Sequence, residues 1–101
     1  MKIEYDRYYR YAEFTELVHA LVKANPALLT IESIGKSYEG RDIWVVTATN
    51  AQTGAADTKP AYWVDANIHA SELAGGAASI YFLETLVKHH GKREDITRLL
   101  D

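Results

Sequence analysis

The sequence predicts an α/β fold, and more narrowly a fragment of a three-layer α/β/α domain with a mixed sheet. Three observations lead to this prediction. Residues 11–25 show the apolar period of a helix, residues 28–49 have the composition of an antiparallel hairpin, and an apolar stretch at 61–68 leads into a long helical segment at 72–89. A strand that is apolar on both faces is typical of a central strand covered on both sides. The predicted order is therefore N-terminal helix, hairpin, central strand and long helix.

The first predicted helix carries a single apolar stripe at helical spacing. The stripe consists of Phe14, Leu17, Val18, Leu21 and Val22. Asn25-Pro26 ends the helix, because a residue that precedes proline disfavours the helical conformation. His19 lies off the stripe, which predicts a solvent-exposed side chain rather than a metal ligand.

The next segment predicts two strands joined by a turn. Residues 28–38 alternate loosely between apolar and polar side chains, and residues 43–49 are rich in β-branched and aromatic side chains. Glu39-Gly40-Arg41-Asp42 supplies the turn, with Gly40 free to adopt positive φ. Residues 50–60 are small and polar and indicate a surface loop.

The long helix predicted at 72–89 contains a costly pair, Gly75-Gly76. Each glycine inside a helix costs about 1 kcal/mol relative to alanine, so we expect the first turns to approach a ligand or the sheet closely. Ser71 has the chemistry of the helix N-cap, and Gly91 that of the residue following the C-cap. Ile96, Leu99 and Leu100 then begin a further amphipathic helix. We expect residues 1–101 to be the N-terminal portion of a larger α/β domain.

Composition excludes several classes of function. The chain has 101 residues, a formal net charge of −3 and no cysteine. Disulfides and cysteine-ligated zinc are thereby ruled out, and the scattered basic residues argue against a nucleic-acid partner. No apolar run is long enough to cross a membrane, and residues 1–7 lack the apolar core of a signal peptide. We expect a soluble protein, with the cytoplasm slightly favoured.

His69 and Glu72 are the candidate metal ligands. They lie three residues apart where the predicted central strand gives way to the long helix, and this spacing keeps them on one side as the helix begins. Hydrolytic zinc sites take three protein ligands from histidine, aspartate and glutamate, so the pair alone is an incomplete site. A structural alternative stays open at this point, because a glutamate in the first turn is also stabilised by the helix dipole.

No other residue completes the site from its position in the sequence. His89 lies 17 residues beyond Glu72, which is about 25 Å along a helix. Asp65 lies about 13 Å before His69 along a strand and is interpreted as a structural carboxylate near the sheet. Asn67 is closer to His69 and is a candidate for a residue that hydrogen-bonds to a metal ligand and orients it. The sequence supplies no catalytic residue.

Three stretches, in order, resemble the zinc metallocarboxypeptidases of the carboxypeptidase A type. The first is the tyrosine-rich start and helix, Tyr8-Tyr9-Arg10-Tyr11 through Leu21, closing on Asn25-Pro26. The second is the glycine-containing hairpin from Ile34 to Ile43, and the third is Asp65-Ala66-Asn67-Ile68-His69-Ala70-Ser71-Glu72, which is similar to the family's first zinc motif. The whole chain resembles the N-terminal part of that catalytic domain.

The resemblance implies a Zn²⁺ cofactor, with His69 and Glu72 as the first two of its three protein ligands. It also implies hydrolysis of C-terminal peptide bonds, with peptide or protein C-termini as substrates. The family's third zinc histidine, base glutamate and carboxylate-binding arginine lie further downstream and have no counterpart in these residues. We therefore expect the chain alone to be inactive and to bind zinc weakly. Animal digestive members carry arginine where this chain has Ser71, so a substrate contact from that position is not implied.

Two alternatives remain open. The first is a related zinc amide hydrolase that acts on N-acyl amino acids, against which the hairpin from Gly35 to Ile43 argues. The second is a peptidase-like binding module without catalysis, against which the presence of both His69 and Glu72 argues. Substrate side-chain preference and oligomeric state are not predicted.

Overall fold

The computed structural model describes residues 2–101 and contains three helices and one antiparallel strand pair. Helix α1 spans Tyr11–Ala24, strand β1 Leu29–Lys36 and strand β2 Asp42–Ala48. Two short 3-10 turns follow at Ala51–Thr53 and Ala56–Thr58, and helices α2 and α3 span Leu73–His89 and Glu94–Leu100. None of the described helices is long and apolar enough to cross a membrane.

Helix α1 and the hairpin form where the sequence predicts them. Strands β1 and β2 are paired from Leu29 opposite Ala48 to Lys36 opposite Asp42, with an irregularity between Ser33 and Lys36. Gly40 takes φ 81° in the connecting turn, a conformation that glycine adopts without a Cβ penalty.

Two apolar clusters hold the elements together. In the first, Val18 of α1 and Ile80 of α2 are buried with Ile3, and Ile31 and Val46 of the two strands pack against them. In the second, Leu86 of α2 and Ile96 and Leu100 of α3 are buried, with Leu28 and Ala48 packed alongside. Helices α1 and α2 are therefore joined to the hairpin through a shared core, while α3 closes its far end.

His19 corrects one sequence prediction, because its side chain is half-buried rather than solvated. Its ring meets the indole of Trp44 edge-on, with 4.5 Å between centroids. Nδ1 donates to the carbonyl of Thr15 at 2.8 Å. The residue is off the apolar stripe of α1 but faces strand β2, which the helical period alone did not indicate.

The predicted central strand at 61–68 is wrong for this structure, in which these residues form no strand. Tyr62, Trp63, Val64 and Ile68 are all exposed. Strand backbone is stable only when its N–H and C=O groups pair with a neighbour, and no other strand of residues 2–101 lies beside this segment.

The start of α2 differs from the prediction by one residue. Glu72, not Ser71, occupies the N-cap position, and no side chain caps the helix there. The reason lies in the preceding turn, where the amide of Glu72 donates to the carbonyl of His69 at 3.0 Å. At the other end the prediction is confirmed, since His90 is the C-cap and Gly91 takes φ 79°.

Candidate metal centre

The two candidate ligands lie in direct contact at the start of α2. Nδ1 of His69 is 2.9 Å from Oε2 of Glu72, and the backbone N–H of His69 donates to the same oxygen at 2.9 Å. The turn formed by residues 69–72 brings both side chains to one side of the chain. Their side chains retain 75% and 51% of their exposure, so the pair is open to solvent and to an incoming cation.

Asn67 contacts the turn through its side chain. Its φ is 61°, a left-handed conformation that asparagine tolerates better than most residues. Its Nδ2 donates to the backbone carbonyl of Glu72 at 2.8 Å. The amide therefore contacts the backbone of a candidate ligand and neither of the two metal-donor groups.

Asp65 lies in a segment that forms no strand, where the sequence predicted a carboxylate near the sheet. Its Oδ2 accepts from the indole Nε1 of Trp63 at 2.9 Å, and both side chains are exposed. The difference follows from the missing strand, because a carboxylate can lie beside a sheet only if its segment joins or covers one.

The two glycines of α2 lie against the segment that precedes the turn, as the predicted close approach requires. A Cβ on Gly75 would lie 3.5 Å from the Cβ of Ala66 and from the backbone nitrogen of Asn67. A Cβ on Gly76 would lie only 2.5 Å from Oδ1 of Asn67 and 3.4 Å from the ring of Phe14. The sequence predicted a close approach to the sheet or a ligand, whereas the neighbours are Ala66 and Asn67, in a segment that forms no strand, and Phe14 of α1.

The remaining histidines do not join the pair. His19 packs on Trp44, and Nε2 of His90 is 2.9 Å from the carboxylate of Asp101. His89 lies in the last turn of α2. Within residues 2–101 no group of three or more histidine, aspartate or glutamate side chains is arranged to hold a metal.

The two donor groups that are present nevertheless have the chemistry of zinc ligands. Zinc takes imidazole nitrogen and carboxylate oxygen at about 2.0–2.2 Å, and both donor types lie within hydrogen-bond distance of each other. The pair fits two of the three protein ligands that a hydrolytic site needs.

A contact further along α2 was missed because both partners are common surface residues. The hydroxyl of Tyr5 donates to Oε1 of Glu84 at 3.0 Å, and its ring meets Tyr81 edge-on. Partial burial of Tyr5, followed by its hydrogen bond to the Glu84 carboxylate, raises the pKa of the phenol. The contact ties the N-terminal segment to the outer face of α2.

Curated relatives are similar in sequence to this chain along almost its whole length. Carboxypeptidase A1 of Sus scrofa and that of Homo sapiens are each 32% identical over 97 residues. Human carboxypeptidase B is 29% identical over the same number of residues. The alignments cover 96% of this chain but 22% of each relative, so the chain spans about a fifth of the length of the curated relatives it matches.

Solved structures share the fold. A crystal structure of thrombin activatable fibrinolysis inhibitor superimposes with a TM-score of 0.84 at 27% identity, over 95% of this chain and 23% of that one. The bovine inhibitor in complex with tick carboxypeptidase inhibitor gives 0.75 at 25% identity, over 88% and 27%. The predicted α/β class and the resemblance stated from the sequence are both confirmed.

A family profile also matches most of the chain. The profile described as zinc carboxypeptidase covers residues 14–101, which include both strands, helices α2 and α3, most of α1 and the turn that carries His69 and Glu72. The chain belongs to the zinc carboxypeptidase family.

Proposed function

We propose that the protein containing this chain is a zinc metallocarboxypeptidase that hydrolyses C-terminal peptide bonds. Residues 1–101 form the N-terminal portion of its catalytic domain. The observation that carries the proposal is the 2.9 Å contact between Nδ1 of His69 and Oε2 of Glu72, within a stretch that the family profile covers. The share of the relatives that the chain spans supports the assignment to part of a domain.

In this proposal His69 and Glu72 hold zinc through imidazole nitrogen and carboxylate oxygen. When bound, zinc polarises a scissile carbonyl and lowers the pKa of a coordinated water. The turn formed by residues 69–72 fixes the two donors on one side, and their exposure leaves room for a further ligand. We assign no catalytic residue to this chain and locate the third zinc ligand and the general base outside it.

Zinc titration of the chain by calorimetry tests the ligand assignment. We expect binding weaker than micromolar, because two donors are too few for a complete site. His69→Ala and Glu72→Gln should each abolish measurable binding. His89→Ala is the matched control, since His89 lies at the opposite end of α2 and its loss should leave the affinity unchanged.

Two results would contradict the assignment. Sub-micromolar binding by the chain would mean that a complete site exists within it. An equal loss of affinity in His89→Ala and His69→Ala would mean that zinc binds histidines without regard to the turn.

A substrate screen of the full-length protein tests the activity. We expect release of C-terminal residues from peptides that depends on added zinc, and no turnover by the isolated chain. Turnover of N-acyl amino acids in place of peptides would favour the related amide hydrolase. No turnover of either class by the full-length, zinc-loaded protein would favour a binding module.

A further inference from the structure

The side-chain amide of Asn67 is fixed at both ends. Nδ2 donates to the backbone carbonyl of Glu72 at 2.8 Å. Oδ1 lies against the Cα of Gly76, where an added Cβ would come within 2.5 Å of it. The backbone beneath the amide is left-handed, with φ 61°. The side chain therefore bridges the segment before the turn and the first turn of α2.

Gly76 alone leaves space for this bridge. A Cβ in real structures essentially never approaches another atom to 2.5 Å, so any side chain at position 76 must displace the amide. The ring of Phe14, 3.4 Å from the same point, closes the other side. Gly75 is different, because a Cβ there would meet its nearest atoms at 3.5 Å, an ordinary van der Waals separation.

We propose that Asn67 and Gly76 form an interlock that fixes the turn carrying His69 and Glu72. Both are positioning residues, since neither touches a metal-donor atom. The bearing of the interlock on zinc rests on the function proposed above. The proposal assigns a role to Gly76, four residues beyond Glu72, that the spacing of metal ligands would not suggest.

The Asn67 amide has adjacent space into which it can move, so the interlock can be broken without unfolding the chain. A cavity of about 60 Å³ lies beside it, lined in part by Tyr8, Leu73 and Ala77. A methyl group at position 76 can push the amide toward this space. Oδ1 and Nδ2 belong to one planar group, so that movement also draws Nδ2 away from the carbonyl of Glu72. The expected result is a folded chain with a released turn.

Four variants of the chain test this: Gly76→Ala, Gly75→Ala, Asn67→Gly and the double variant Asn67→Gly/Gly76→Ala. Gly75→Ala is the matched control, because it makes the same change one residue earlier in the same helix. Asn67→Gly keeps the freedom to adopt positive φ and removes the amide. Far-UV circular dichroism of each variant reports whether α2 is retained.

Amide hydrogen exchange measured by NMR reports the turn without any metal. In the wild-type chain the N–H of Glu72 is bonded to the carbonyl of His69, and the N–H of His69 to the carboxylate of Glu72. We expect both amides to exchange faster in Gly76→Ala and in Asn67→Gly, and at the wild-type rate in Gly75→Ala. In the double variant the rate should match that of Asn67→Gly alone, since no amide remains to be displaced.

Equal exchange rates in Gly76→Ala and Gly75→Ala would overturn the interlock. So would an additive effect in the double variant, because additivity means that the two positions act independently. These outcomes do not depend on zinc, so the interlock is judged even if the proposed function fails.

Zinc titration of the same variants tests the positioning role. We expect Gly76→Ala and Asn67→Gly to weaken binding by about tenfold, the lower end of what loss of supporting contacts costs at metal sites. Gly75→Ala should bind as the wild-type chain does. Unchanged affinity in Gly76→Ala would overturn the positioning role, provided that His69→Ala abolishes binding. Unchanged affinity in His69→Ala would instead count against the proposed function.

Discussion

The hairpin and the segment at 61–68 were both predicted to form strands, yet only the hairpin does. In the hairpin, β1 and β2 pair with each other, and Ile31 and Val46 pack onto buried side chains of α1 and α2. At 61–68 the aromatic and aliphatic side chains remain exposed. Both segments have the composition of a strand, so composition does not account for the difference.

The difference lies in where the hydrogen-bonding partner comes from. A hairpin finds its partner a few residues away across a turn, whereas a central strand of an α/β sheet takes its neighbours from distant parts of the chain. Residues 2–101 contain no second strand that reaches 61–68. A segment of this chain therefore forms a strand only where a neighbouring strand is present to pair with it. An apolar pattern alone predicts more strand than the structure contains.

The largest expected effect comes from shortening a buried aliphatic side chain on the hairpin. Leu29 opens β1 with 2% of its surface exposed. Leu29→Ala should lower the free energy of unfolding by about 2–5 kcal/mol, because it removes buried methyl groups and leaves a cavity. Urea unfolding followed by circular dichroism measures the change.

Ile68→Ala is the corresponding change in the unpaired segment. Ile68 is 77% exposed, so the free energy of unfolding should change by no more than about 0.5 kcal/mol. A loss comparable to that of Leu29→Ala would mean that residues 61–68 are packed in solution, and the contrast between the two regions would not hold.

The same contrast explains which parts of the fold were predictable from sequence. Helix α1 was predicted from a stripe that it buries, and the hairpin from a turn in which Gly40 takes positive φ. Both are local signals, visible in the sequence without knowledge of the partner, even though the α1 stripe packs against Ile80 of α2. His19 failed as a prediction because its partner, Trp44, lies on a different element. A helical period identifies one buried face and says nothing about a second contact.

The candidate metal centre also has features that the sequence predicted and features that it did not. The spacing of three residues predicted that His69 and Glu72 would lie on one side of the chain. In the structure Nδ1 of His69 is 2.9 Å from Oε2 of Glu72. Glu72 as N-cap was not predicted, because the turn that precedes α2 depends on a backbone bond to His69. The glycine pair predicted a close approach, but only the structure identifies the amide of Asn67 as the neighbour of Gly76.

The smallest expected effect is electrostatic and lies at the turn end of the hairpin, where Lys36 is paired with Asp42. Oδ1 of Asp42 is 2.7 Å from Nζ of Lys36 and accepts from the hydroxyl of Ser33 at 2.7 Å. The hydrogen bond from Lys36, followed by that from Ser33, lowers the pKa of the Asp42 carboxyl. Because the folded-state pKa lies below the unfolded value of about 3.9, the contribution is present above that value. It is lost as the pH falls through the folded-state pKa.

Unfolding measured at about pH 6 and again well below pH 3.9 tests this, with Asp42→Asn beside the wild-type chain. The variant should lose less stability on acidification, because asparagine has no charge to neutralise. Glu32→Gln is the control, since Glu32 is an exposed carboxylate on the same hairpin. If it reduces the acid sensitivity as much as Asp42→Asn does, the effect is one of net charge. In that case the contacts with Lys36 and Ser33 do not give the hairpin the specific stability that the segment at 61–68 lacks.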